Sequence, residues 1–121
     1  MSELIETRIA EASSELGCAK LLMGNHPRQA AGHCLSAIVN LCNAANARDG
    51  ILDPGALPDT LFVSTTRTQL VASLAGCQAI SGGEVESAAV GEFVRKTVDF
   101  ADDFARDVER YHGRAPAPSM S

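Results

Sequence analysis

Between Leu16 and Arg48 the chain carries no Asp or Glu, and its only basic residues there are Lys20, Arg28 and Arg48. A segment so poor in ionic side chains has no broad flank that water wets well, so it must be covered nearly all round. Residues 60 to 83 repeat the pattern, with Arg67 as their sole charge. Glu84 to Arg110 is the reverse, holding eight acidic and four basic residues. The fold must therefore shelter two bare segments and leave a charged one facing solvent.

Hydrophobic spacing predicts that these segments are helices. Ile5, Ile9, Ala12, Leu16, Ala19 and Met23 alternate by four and three, which sets them on one helical stripe. Glu3, Glu6, Glu11 and Glu15 fall on other faces, and Gly24-Asn25 is a stop. Pro27 suits the first turn of a second helix, where its missing N–H costs nothing, and that helix should run from Pro27 to Arg48. DGILDPGALP, residues 49 to 58, has two Gly and two Pro and predicts a turn-rich linker. A third helix is expected from Thr66 to Ala79, with the state of residues 59 to 66 left open by their β-branched and hydroxyl side chains. Ser81-Gly82-Gly83-Glu84 has the spacing of a capping box, so a fourth helix should open near Gly82. It carries Val90, Val94, Thr97, Ala101, Phe104, Val108 and Tyr111 on one stripe and should stop at Gly113.

The expected fold is all-α: a four-helix bundle over residues 1 to 113, one domain, with a turn-rich linker after the second helix. The Pro- and Ser-rich residues 114 to 121 are expected to be a disordered tail. With 121 residues and 45% hydrophobic content, such a domain can bury a core without covalent staples. Cys18, Cys34, Cys42 and Cys77 sit in apolar helical settings and read as reduced thiols in a cytoplasmic protein. No stretch approaches the ~18 apolar residues of a membrane span, and the first residues lack the pattern of a signal peptide. A net charge of −5 argues against direct binding to nucleic acid, since phosphate recognition draws on clustered Lys and Arg.

The stretch MGNHPRQAAGHCLSAIVNLCNAA, residues 23 to 45, gathers His26, His33, Cys34 and Cys42, yet their spacing opposes a reactive site. Metal ligands on one helix fall three or four apart, whereas Cys34 and Cys42 are eight apart and His33 and Cys42 nine. His33 and Cys34 are adjacent and diverge by about 100° on a helix, which rules out a nucleophile and base pair. No metal or cofactor is expected. Asp99, Asp102 and Asp103 read as a solvated face rather than a catalytic pair.

AKLLMGNHPRQAAGHCLSAIVNLCNAA, a turn-rich linker, a short helix and the terminal EFVRKTVDFADDFARDVERY together resemble the HEPN superfamily (higher eukaryotes and prokaryotes nucleotide-binding). The resemblance implies a helical bundle that often dimerises. Catalytic members are ribonucleases with an Arg, four to six residues and a His, a pattern that Arg28 and His33 match. The polar residue usual after that arginine is Gln29 here. His33 within AAGHCLSAI also resembles the histidine of phosphotransfer bundles, although the lysine common soon after it is absent. We carry the fold over from the first resemblance and assign no catalytic residue.

Two explanations fit the bare second helix. It is the centre of a non-square bundle, with Ser36, Asn40, Asn43 and Asn46 as its solvent face, or it joins the third helix in a homodimer interface. We expect the second: a cytoplasmic interaction or regulatory module that binds a protein partner through helices two and three or through acidic helix four. Two alternatives stay open. One is a ribonuclease using Arg28 and His33. The other is an acidic mimic of a phosphate backbone, weakened by the interleaved Arg95, Lys96, Arg106 and Arg110.

Overall fold

A computed structural model describes residues 2–51, 57–58, 67–83 and 89–114, with the backbone alone described at Ser2 and at 112–114. Four helices follow one another: α1 (Ser2–Leu22), α2 (Pro27–Arg48), α3 (Arg67–Ser81) and α4 (Ala89–Arg114). The all-α bundle expected from the sequence is what forms. The linker over 52–56 and 59–66, the residue Glu84 and the tail beyond Arg114 lie outside the described residues. No described helix is long and apolar enough to cross a membrane.

The joint between α1 and α2 is short because its backbone satisfies itself. Met23 N–H donates to Ala19 C=O, and the N–H groups of Asn25 and His26 both donate to Leu22 C=O. His26 is the N-cap, although its side chain makes no capping bond, and Pro27 stands in the first turn. The two helices are therefore forced into an antiparallel pair. Glu15 meets His33 and Arg8 meets Asn40, so facing residue numbers sum to 48 and the contacts repeat at seven residues. α2 ends in a Schellman turn: Ile51 N–H reaches Asn46 C=O, Gly50 N–H reaches Ala47 C=O, and Gly50 takes φ +81°.

α2 is the centre of the molecule. It packs against α1, α3 and α4, whereas α1 and α3 do not touch among the described residues. Ala30, Ala31, Cys34, Ala37, Ile38, Leu41, Cys42, Ala44, Ala45 and Ala47 are all buried. The alanines let neighbouring backbones come close, and the larger Ile38, Leu41, Val94, Val98, Phe104 and Val108 fill the space between the layers.

This corrects the expectation that α2 needs a second molecule to cover it, because three helices of the same chain already enclose it. The central position weighed as the other explanation is the one found, though not with the solvent face proposed for it. Asn40 is turned in, taking a weak bond from Arg8 at 3.4 Å and donating to Ser36 C=O at 3.0 Å, and Asn46 is buried. A second correction concerns Ser81. It closes α3 instead of capping α4, because Gly82 N–H donates to Gln78 C=O and Gly83 N–H to Ile80 C=O, with Gly83 at φ +80°. Only glycine enters that left-handed conformation at little cost, so the Gly-Gly pair serves as a stop signal here. α4 also continues through Gly113 to Arg114.

Substituting Phe104, which is wholly buried, by Ala should cost about 3–5 kcal/mol in urea unfolding, through lost burial and the cavity left behind. A finer check uses two glycines that both have open space around them, Gly24 and Gly50. Gly50→Ala should destabilise by about 1 kcal/mol because of its positive φ, and Gly24→Ala should leave the unfolding midpoint nearly unchanged.

Candidate functional site

Arg28 and His33, the pair matching the ribonuclease spacing, are not brought together. Five residues along a helix turn through about 140°, and each side chain meets a different neighbour. His33 Nδ1 lies 2.9 Å from Glu15 Oε2 on α1. Arg28 reaches the other way, so that a Cβ added at Gly83 would sit 3.8 Å from its Nη1. The Glu15–His33 pair is about a third exposed on both sides, so it acts as an interhelical tie in the α1–α2 seam.

Three of the four thiols are buried: Cys34, Cys42 and Cys77, with Cys18 half-buried and all four free. Burial pushes Cys42 up to about 12, because the charged thiolate would lose its water. Cys34 on α2 and Cys77 on α3 are both fully buried, and each perturbs the other's ionisation. The neighbouring Cys77 thiol, ahead of burial, raises the Cys34 thiol far above its ordinary value. The Cys34 thiol lowers Cys77 against the opposing effect of burial. Thr97 also lowers Cys77, but its hydroxyl proton already goes to Phe93 C=O at 2.8 Å, so Cys34 is the influence that matters. Among the described residues no group of three His, Cys, Asp or Glu side chains could hold a metal ion.

The carboxylates of α4 are spent largely within the structure. Glu92 pairs with Lys96 at 3.4 Å, Asp103 with Arg106, and Asp107 with Arg110 at 3.8 Å. Asp102, expected on the solvated side, is half-buried and takes Lys20 of α1 at 2.9 Å. Asp107 is the residue sequence reasoning missed: it is 4% exposed, the sole buried carboxylate among the described residues. Its spacing of three from Phe104 and four from Tyr111 was the signal available. Nearby, the Tyr111 hydroxyl donates to the Asp49 carboxylate and Arg48 lies over the Tyr111 ring, 5.4 Å from its centroid. These contacts tie the C-terminal ends of α2 and α4 together, the cation over the ring adding about 0.5–1 kcal/mol.

What remains open is the outer face of α3. Leu70, Ser73, Cys77 and Ile80 turn inward, and Gly76 makes room for Phe93, whose Cζ would lie 2.2 Å from a Cβ at that position. Thr68, Val71, Ala72, Ala75 and Gln78 are exposed, with Ala79 beside them, and none is charged. Val71 is 46% exposed. Leu21 on α1 is more exposed, at 84%, but stands alone next to Lys20, and single apolar side chains at a surface are ordinary.

Two outcomes are expected of the thiols. With the reduced native protein, N-ethylmaleimide should label Cys18 well before the other three, as read by peptide mapping. The Cys42 contribution to stability is full below the ordinary thiol value of 9.0 and falls as pH climbs from there towards about 12, because the unfolded thiol ionises first. Unfolding midpoints measured from pH 8 to 11 should therefore drop less steeply in Cys42→Ala than in the parent. Compared with known proteins, the chain matches no family model, no curated relative and no solved structure.

Proposed function

We propose that this protein is a small interaction module that self-associates as a homodimer through the outer face of α3. The observation supporting it is the uncharged, exposed row Thr68, Val71, Ala72, Ala75 and Gln78, at the spacing of one helical stripe, on the helix least embedded in the bundle. Helices α1 and α4 offer charged outer sides, and α2 is enclosed by the other three. Burying such a row against its own copy costs little desolvation, and the small side chains permit close backbone approach. Helix α4 supports a docking role less well, because its own basic residues already pair with Glu92, Asp103 and Asp107.

Light scattering coupled to size exclusion tests this reading. The parent should elute at twice 12.7 kDa. Ala75→Glu, which places a charge in the middle of the row, should give a monomer with an unchanged helical circular dichroism spectrum. A parent that stays monomeric across the accessible concentration range would remove the homodimer, and an Ala75→Glu protein that still dimerises would move the interface elsewhere.

A further inference from the structure

Glu15–His33 and Arg8–Asn40 join α1 to α2, Lys20–Asp102 joins α1 to α4, and Tyr111–Asp49 joins α4 to the end of α2. These three helices also pack each against the other two, so they form a closed core of their own. α3 lies on that core from one side. It packs on α2, touches α4 sparingly and does not meet α1 among the described residues. Its inner side is Leu70, Ser73, Cys77 and Ile80, with Leu74 partly buried beside them. α3 also has little to keep it helical by itself. Its 15 residues are close to the length at which an isolated helix is marginal, Thr68, Val71, Ser73 and Ile80 are weaker helix formers, and Gly76 stands mid-helix. Arg67 is its sole charge, so no ion pair like Arg8–Glu11 in α1 or Glu92–Lys96 in α4 can form along it. Gly82 and Gly83 close its end, with Gly83 at φ +80°, and give the backbone there freedom to turn.

We propose that α3 is a hinged cover on α2, which opens as a unit while α1, α2 and α4 stay folded. Opening uncovers a flank of a helix that has no Asp, Glu, Lys or Arg between Arg28 and Arg48. Access to that flank is then set by a local event and not by unfolding of the whole domain. The cost of opening is small because few large side chains are given up: Leu70 and Ile80 from the inner side of α3, and the Phe93 ring of α4 where it fits against Gly76. The ties among α1, α2 and α4 are kept throughout. This inference is independent of the homodimer, which concerns the outer side of α3; docking of that side would hold the cover shut.

The test is hydrogen exchange of the full chain in rising urea below its unfolding transition, read by peptide mass spectrometry, for the parent and for Ala75→Glu. Amides of α3 should exchange through an opening about tenfold or more better populated than the one that exposes the centre of α2, and with a weaker urea dependence, since less surface is uncovered. Cys77, fully buried on the inner side of α3, should be labelled by N-ethylmaleimide through the same opening and with the same urea dependence. Leu16→Ala, or the milder Ile5→Val, weakens α1, which α3 does not touch among the described residues; it should speed exchange at the centre of α2 and leave α3 unchanged. Slow exchange of α3 in the parent together with local opening in Ala75→Glu would support the cover and show that docking shuts it. Exchange of α3 and α2 at one rate and with one urea dependence in both proteins would overturn the proposal, as would Leu16→Ala or Ile5→Val speeding α3 by the same factor as α2.

Discussion

The close approach of α1 to α2 is the constraint on which the rest of the structure depends. It rests on small side chains in the seam, Ala12 and Ala19 from one helix and Ala30, Ala37 and Ala44 from the other, all almost completely buried. Alanine contributes little area of its own, but it costs no side-chain entropy in a helix and lets its neighbours interlock. Because α1 sits close on one side, α2 has room to take α3 and α4 on its others. A helix with no acidic residue is thereby sheltered in a chain of only 121 residues.

Polar groups then set which residues face which. The Glu15–His33 and Arg8–Asn40 contacts lie at the edge of the α1–α2 seam, Lys20–Asp102 bridges α1 to α4, and the Tyr111–Asp49 bond closes the far end of α2 against α4. Individually such partly exposed contacts add a fraction of a kcal/mol to about 1 kcal/mol. Their combined value is in register, because a slide of one residue in α1, α2 or α4 would break at least two of them at once and turn the apolar stripe off the core.

Much of this was legible before any coordinates. The α1 stripe of Ile5, Ala12, Leu16 and Ala19 and the α4 stripe of Val94, Ala101, Phe104 and Val108 are buried as their spacing requires, and α2 begins at Pro27 and ends at Arg48 as expected. Two kinds of information were not local enough to read. Whether a bare helix is covered by its own chain or by another depends on how three other helices are arranged, which residue periodicity along α2 does not encode. Ser81 satisfied the spacing of a helix start, yet it lies in the last turn of α3, because Gly83 adopts the left-handed conformation that closes the helix before it. The mutual influence of the buried Cys34 and Cys77 thiols, 43 positions apart, likewise emerges only once α2 and α3 are set side by side.

The separation of α1 from α3 has its own consequence for how disturbances spread. With no contact between them among the described residues, the two helices can sense each other chiefly through α2, which is packed tightly enough to behave as a stiff partition, since α4 meets α3 only sparingly. Energetic changes made on the two outer sides should then be nearly additive, as for sites far apart that do not touch. Evolution could remodel the α3 side to suit new companions while the α1–α2 hairpin goes on folding as before.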